Sequence, residues 1–215
     1  VLVTEGGKGA ALFDPAFMEV APFASFPGNF IDPNTIVTNM AACSDCVAVA
    51  INQIDAFSGF QSIRVILRDA TAVRWEVTFG RVEFSLKGAL AFSPDGTKLY
   101  AVFSRFVAGN DGPFRTEILE FDALTGAHTL VFASPNGQRF AGMAVDPQGR
   151  VYTHSFDPGD KAIYRLNRTT SQLEAIAPRL PDPVFSFGGY VNGMGIARYG
   201  RIYVAVRNLD RKHRL

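Results

Sequence analysis

The feature that most constrains this chain is an internal repeat with a tight turn in every unit. Lys87-Gly88-Ala89-Leu90-Ala91-Phe92-Ser93-Pro94-Asp95-Gly96-Thr97-Lys98-Leu99-Tyr100-Ala101-Val102 matches Ala141-Gly142-Met143-Ala144-Val145-Asp146-Pro147-Gln148-Gly149-Arg150-Val151-Tyr152-Thr153. Both match Asn192-Gly193-Met194-Gly195-Ile196-Ala197-Arg198-Tyr199-Gly200-Arg201-Ile202-Tyr203-Val204-Ala205. Each copy reads as a short apolar strand opening with Gly, a turn, and a β-branched or aromatic strand. A second signature follows in each unit: Phe121-Asp122-Ala123-Leu124-Thr125-Gly126 and Leu166-Asn167-Arg168-Thr169-Thr170, with Leu67-Arg68-Asp69 and Phe13-Asp14-Pro15 in the same place earlier. Asp or Asn suits a tight turn there, because its side chain bonds backbone amides further along. The steps Phe13 to Leu67, Leu67 to Phe121 and Phe121 to Leu166 are 54, 54 and 45 residues.

A period of that size holds four short strands, and no stretch shows the three- and four-residue spacing of a helix. The expected fold is all-β, a β-propeller of four-stranded antiparallel blades. A four-stranded meander cannot cover both of its faces alone, so units must stack face to face around an axis. Gly and Ala in the opening strand suit the crowded centre, and 47% hydrophobic residues are ample for the core. The units fall at about 1–22, 34–79, 87–133, 141–177 and 191–207. The first supplies only the last three strands of a blade and the last only the first two. Four to five blades are therefore expected, as a truncated ring, an open array, or a ring closed with a second chain.

The stretches Ala91-Phe92-Ser93-Pro94-Asp95-Gly96 and Ala144-Val145-Asp146-Pro147-Gln148-Gly149, each followed by a strand with Tyr, resemble the propeller repeats of the YVTN, NHL and gluconolactonase-like groups. That resemblance implies the fold and leaves function open, since these groups include binding modules, scaffolds and enzymes. Gluconolactonase-like enzymes hold a divalent cation with acidic and Asn side chains near the first strands. The resemblance implies Asn192, in Val191-Asn192-Gly193-Met194, as such a ligand, with Glu5 and Asp146 as acidic candidates and calcium as the cofactor. Ala141 stands where an Asp would be wanted, and Glu5 follows a second strand, not a first.

In a blade, the loops joining strand two to three and strand four to the next strand one share a face where ligands commonly bind. Here they are the long ones, and six of the 19 phenylalanines in or beside them form the candidate contact surface: Phe57, Phe60, Phe106, Phe114, Phe156 and Phe187. The alternative is that they pack between blades and under the loops. Cys43 and Cys46 align with the turn between strands one and two. A local disulfide is expected, with free thiols or a redox pair as alternatives, and it would place the chain in a secreted or extracytoplasmic setting. Zinc is not expected, because there is no second Cys/His pair. His154 reads as a packed histidine; as a base with Asp157 it lacks a third partner. Asn167-Arg168-Thr169 fits a glycosylation sequon on an exposed turn.

Lys+Arg of 21 against Asp+Glu of 20 gives a net charge of +1, which calls for neither nucleic acid nor an acidic membrane. The basic tail, Arg207, Arg211, Lys212 and Arg214, reads as a solvated terminus. No apolar run approaches the ~20 residues needed to cross a bilayer as a helix. The chain opens Val1-Leu2-Val3-Thr4 without the pattern of a signal peptide, so either a presequence was removed or the chain is part of a longer one. The functional expectation is a non-catalytic propeller that binds a protein or assembles with other copies, through its long loops or incomplete blade ends. The alternative is a divalent-metal lactonase-like hydrolase.

Overall fold

The structure is a computed structural model; it describes all residues except 1, 6–8, 15–18, 26–34, 55–60, 70, 81–88, 107–113, 136, 156–161, 178–189, 198, 208–212 and 215. Among the described residues, eighteen strands form five antiparallel meanders. The first sheet is β1 (Leu2–Glu5), β2 (Gly9–Asp14) and β3 (Glu19–Ser25). The second is β4 (Thr35–Ala42), β5 (Val47–Ile54), β6 (Gln61–Arg68) and β7 (Val73–Gly80). The third is β8 (Ala89–Phe92), β9 (Lys98–Phe106), β10 (Phe114–Asp122) and β11 (His128–Ala133). The fourth is β12 (Phe140–Val145), β13 (Val151–Ser155), β14 (Ile163–Asn167) and β15 (Gln172–Ala177). The fifth is β16 (Tyr190–Ile196), β17 (Ile202–Arg207) and β18 (His213–Arg214).

The opening strands lie side by side, β4 on β8, β8 on β12 and β12 on β16. This places the second to fifth sheets radially, as blades of a β-propeller that is not closed into a ring. Burial follows the radius. All five residues of β13 are buried, whereas the outermost strands β11 and β15 are largely exposed.

Both repeat signatures are turns, and their hydrogen bonds explain the recurring residues. The amides of Cys43, Ser93, Asp146 and Ala197 donate to the carbonyls of Cys46, Lys98, Arg150 and Arg201, closing each strand-one to strand-two turn. At the strand-three to strand-four turns, Asp69 Oδ1 accepts from the amides of Thr71 and Ala72, Asp122 Oδ1 from Leu124 and Thr125, and Asn167 Oδ1 from Thr169 and Thr170. These donors hold the Asp69 carboxyl well below, and the Asp122 carboxyl below, the usual carboxylate range, led by the Thr71 hydroxyl and the Thr125 amide respectively.

Two expectations are corrected. Matching turn on turn, Asp69 corresponds to Asp122, so Arg68 and not Leu67 is the counterpart of Phe121. The neighbouring ladder agrees, since Arg68 pairs with Val47 as Phe121 pairs with Leu99. The basic tail, in turn, is not wholly a solvated terminus, because His213 and Arg214 pair with Arg207 and Val206 as a third strand. Backbone pairing needs no apolar side chain, which is why the tail did not read as a strand.

Alternate residues of each strand face the two neighbouring blades. Leu99, Ala101, Phe103, Leu119 and Phe121 meet Ala48, Ala50, Ile63, Val65, Leu67, Trp75 and Phe79 of the second sheet. Tyr100, Val102, Ile118 and Phe132 meet Phe140, Met143, Val151 and Leu166 of the fourth. The Trp75 and Phe121 rings stack at 5.4 Å between centroids, and Trp75 Nε1 donates to the Ala123 carbonyl at 3.1 Å. At the other joint Phe140 meets Phe132 and Tyr164 edge-on, at 5.8 and 5.2 Å. Thr116 ties the same joint: its hydroxyl bonds Ser104 Oγ at 2.9 Å and the Gln138 carbonyl at 3.1 Å, and accepts from the Phe140 amide at 3.1 Å.

Candidate binding surface

The face of each blade that looks toward the following blade has a repeated landmark, the second residue past the closing position of the strand-one to strand-two turn. It is Tyr100 after Lys98, Tyr152 after Arg150 and Tyr203 after Arg201. The pairing is equivalent in all three sheets: Tyr100 opposite Ala91, Tyr152 opposite Ala144, Tyr203 opposite Gly195. A small partner across the ladder leaves room for the ring.

Tyr100 is 2% exposed beneath the fourth sheet and Tyr152 is 6% exposed at the joint with the fifth, but Tyr203 is 59% exposed. Tyr199, in the adjoining turn, is 89% exposed. Tyr203 is thus exposed on the face that corresponds to the buried one in the preceding sheets.

The joint between the third and fourth sheets shows what a covered tyrosine acquires. Arg168, on the β14–β15 turn, donates from Nη1 to the Tyr100 hydroxyl at 3.1 Å and pairs through Nη2 with Glu120. Lys98 Nζ lies 3.3 Å from the other Glu120 oxygen. Burial, reinforced by the Glu120 charge, pushes the Tyr100 hydroxyl up to about 12. Beside this cluster a cleft of about 430 Å³ opens on the tight-turn side, lined by Asp95, Lys98, Tyr100, Pro147, Gln148 and Arg168. Its two cations are both engaged by Glu120, and with Asp95 on the lining the charges balance.

His154 is a deeply buried titratable group. It is 1% exposed and sits two residues past Tyr152, the position held by Val102 in the third sheet. Nδ1 lies 3.1 Å from the Ser155 carbonyl, and Nε2 has no hydrogen-bond partner. Burial pushes the imidazole down to about 4, so it is neutral at physiological pH. The ring fits because residue 142 is Gly: a Cβ there, at φ +66°, would stand 2.6 Å from Nε2. His154 is therefore a packed histidine on the Tyr152 face of the fourth sheet.

Asp146, an acidic candidate for the metal alternative, is a turn residue instead. Its Oδ1 accepts from the amides of Gln148 and Arg150, and its Oδ2 from Arg150 Nε at 2.5 Å and the Tyr152 hydroxyl at 2.9 Å. Burial works against its ionisation, but these donors outweigh it and hold the carboxyl below its ordinary value. Four donors on two oxygens leave it committed to the turn. Glu5 ends β1 in the first sheet and Asn192 lies at a bulge of β16 in the fifth, between Val191 and Gly193. Their side chains lie outside the described residues.

Of the six candidate phenylalanines, Phe57, Phe60, Phe156 and Phe187 lie outside the described residues. Phe106 and Phe114 are described in backbone only, as a cross-strand pair of β9 and β10. Cys43 and Cys46 are joined by a disulfide, S–S 2.02 Å, across the β4–β5 turn. Beside it Asp45 and Arg74 form an ion pair at 2.6 Å, and Arg74 holds the Asp45 carboxyl below its ordinary value. The Asn167 amide donates to Glu174 at 2.6 Å while its carbonyl oxygen caps the turn, so both ends of the sequon side chain have structural partners. The described residues contain no helix long and apolar enough to cross a membrane.

The repeat contains the exposed tyrosine without marking it as exposed. Tyr100, Tyr152 and Tyr203 hold one position of the repeat, and only the packing distinguishes the third from the other two.

No family model matches the chain, and no curated protein matches its sequence. Solved structures do match over nearly its whole length. A structure described as a nidogen/laminin complex aligns with TM-score 0.61 at 13% identity, over 96% of this chain and 69% of that one. Hydrazine synthase of Kuenenia stuttgartiensis aligns with TM-score 0.60 at 11% identity, over 99% of this chain and 66% of that one. A protein of unknown function from Bacteroides caccae aligns with TM-score 0.55 at 12% identity, over 99% and 70%. The chain thus spans about two thirds of the proteins it resembles, and at these identities the likeness establishes the all-β propeller fold and nothing narrower.

Proposed function

We propose that the chain is a non-catalytic β-propeller module that binds protein through its long loops or incomplete blade ends, with the exposed Tyr199 and Tyr203 of the fifth sheet in its contact surface. The observation that carries this reading is the exposure of Tyr203, against the burial of its counterparts Tyr100 and Tyr152. Tyrosine combines a large apolar body with a hydroxyl that bonds at the rim, and it is among the residues that dominate binding energy at interfaces. Tyr199 beside it enlarges the aromatic area. One of the similar structures is a complex with a second protein, which supports protein contact as a use of this fold. The Cys43–Cys46 disulfide supports a secreted or extracytoplasmic setting, where such bonds persist. The long loops with the candidate phenylalanines are a second contact region in this proposal.

A photo-reactive benzophenone side chain at position 203 tests it, with position 172 on the exposed outer strand β15 as control. The expected result is a discrete crosslinked protein band from position 203 and none from position 172. Equal, indiscriminate labelling at both positions would remove the proposal.

A further inference from the structure

We infer that Arg105 and Arg115, at the end of the third sheet where β9 ends and β10 begins, form a binding site for one carboxylate group. The two arginines are direct partners across the β9–β10 ladder, and Glu117 pairs with Phe103 one step along the same face. All three alternate in step with Leu99, Ala101, Phe103, Leu119 and Phe121. They therefore extend the face that meets the second sheet, beyond the Phe79–Phe103 ring contact at 5.0 Å. Like charges directly opposite in a ladder repel. Glu117 holds them together: one oxygen accepts from Arg105 Nη1 at 3.1 Å, the other from Arg115 Nε and Nη2 at 2.9 and 2.8 Å.

These bonds leave both charge and donors to spare. Two guanidiniums share one carboxylate; the Glu117 side chain is 4% exposed, while those of Arg105 and Arg115 are 40% and 38% exposed. Among the described residues neither arginine pairs with a second anion, so the cluster keeps a surplus of one positive charge. Arg105 Nε is buried without a hydrogen-bond partner, and Glu117 engages neither Arg105 Nη2 nor Arg115 Nη1. A carboxylate fits what remains, because it carries a single negative charge and its two oxygens match the fork of a guanidinium. A phosphate dianion would leave the cluster with excess negative charge. The blade itself does not call for this trio. With Val47–Arg68 matched to Leu99–Phe121, the second sheet carries Gln53, Ser62 and Arg64 at the places of Arg105, Arg115 and Glu117. The carboxylate is that of a free small acid or of an acidic side chain on a bound protein.

NMR of the arginine Nε–H groups of the intact chain tests the inference, with sodium acetate titrated against sodium chloride at equal ionic strength to remove simple screening. The expected result is a saturable shift of the Arg105 and Arg115 signals with acetate and none with chloride. Arg105→Gln should weaken acetate binding at Arg115 roughly tenfold, the scale of one charge-assisted hydrogen bond. This variant keeps both Arg115 bonds to Glu117, and an unchanged circular dichroism spectrum confirms the fold. Arg115→Gln, read at Arg105, is the reciprocal test. A triglutamate peptide that binds more tightly than acetate assigns the site to a protein side chain, and equal affinity assigns it to a free acid. No saturable shift, a shift matched by chloride, or binding indifferent to Arg105→Gln overturns the site. Inorganic phosphate binding more tightly than acetate near neutral pH overturns its carboxylate character. Binding that emerges only after Asp111→Asn overturns an external ligand, since the chain's own carboxylate would then be the occupant. The site is independent of Tyr199 and Tyr203, so its failure leaves the outcome of the position-203 crosslink untouched.

Discussion

Replacing Gly126 by Ala tests whether the joint between the second and third sheets is as tightly determined as its geometry implies. Gly126 lies in the β10–β11 turn at φ +75°, a conformation that costs an L-residue about 1–2 kcal/mol. A Cβ there would stand 2.8 Å from Cγ and 2.9 Å from Cδ2 of Trp75. Carbon atoms pack best at about 3.5–4.0 Å, so the indole would have to retreat by roughly 0.7 Å or more. Its retreat is opposed by Phe121, stacked 5.4 Å away, and by the 3.1 Å hydrogen bond to the Ala123 carbonyl. Overpacking of this kind costs about 1–3 kcal/mol, which with the backbone gives about 2–5 kcal/mol. Gly149→Ala is the control, because Gly149 has φ +77° but nothing within 4 Å of its Cβ position. It should lose only the backbone part, about 1–2 kcal/mol. Urea titration followed by the emission of Trp75, the one tryptophan of the chain, reads both stability and the local change. For an m-value of about 2 kcal/mol/M the two midpoints should differ by roughly 1 M. Equal midpoints with unchanged Trp75 emission would refute the tight joint.

The pH dependence of His154 has a definite sign. Its folded value of about 4 lies below the ordinary 6.5, so its contribution is complete above pH 6.5 and is lost as pH falls, because only the unfolded chain takes up the proton until about pH 4. The slope approaches about 1.4 kcal/mol per pH unit and totals roughly 3 kcal/mol. His154→Val, which installs the residue found at the equivalent position 102, should flatten denaturation midpoints between pH 6.5 and 4, and an unaltered slope would exclude His154 as its source. Reducing the Cys43–Cys46 disulfide should cost only about 2 kcal/mol, since it closes a very small loop; denaturant melts with and without reductant check this, alongside the mass gain of two hydrogens. Thr116→Val should cost about 1–3 kcal/mol by leaving the Phe140 amide and Ser104 hydroxyl short of a partner, measured by the same urea titration.

The turns and the strand order were legible in the sequence because they rest on local chemistry. A side chain that caps its own turn, as Asp69, Asp122 and Asn167 do, needs only neighbours two or three residues along the chain, and a Gly in the left-handed region needs none. The same is true of the disulfide, which lies within one turn. The roles of Asp146 and His154 were half legible. Sequence placed both on the right elements, but that Asp146 is saturated by four donors and that His154 fills the space left by Gly142 depends on distances between strands. The metal alternative drew on Asp146 for that reason.

By itself, the sequence determined an all-β repeat of four-stranded units, the place of each turn, and a tyrosine at one fixed point of three successive blades. Tertiary structure alone decided which of those tyrosines is covered. Local hydrogen bonding sets where a side chain points relative to its own strand, but burial is settled by whatever sheet stands opposite. Two chemically identical positions, Tyr152 and Tyr203, therefore differ in exposure from 6% to 59%.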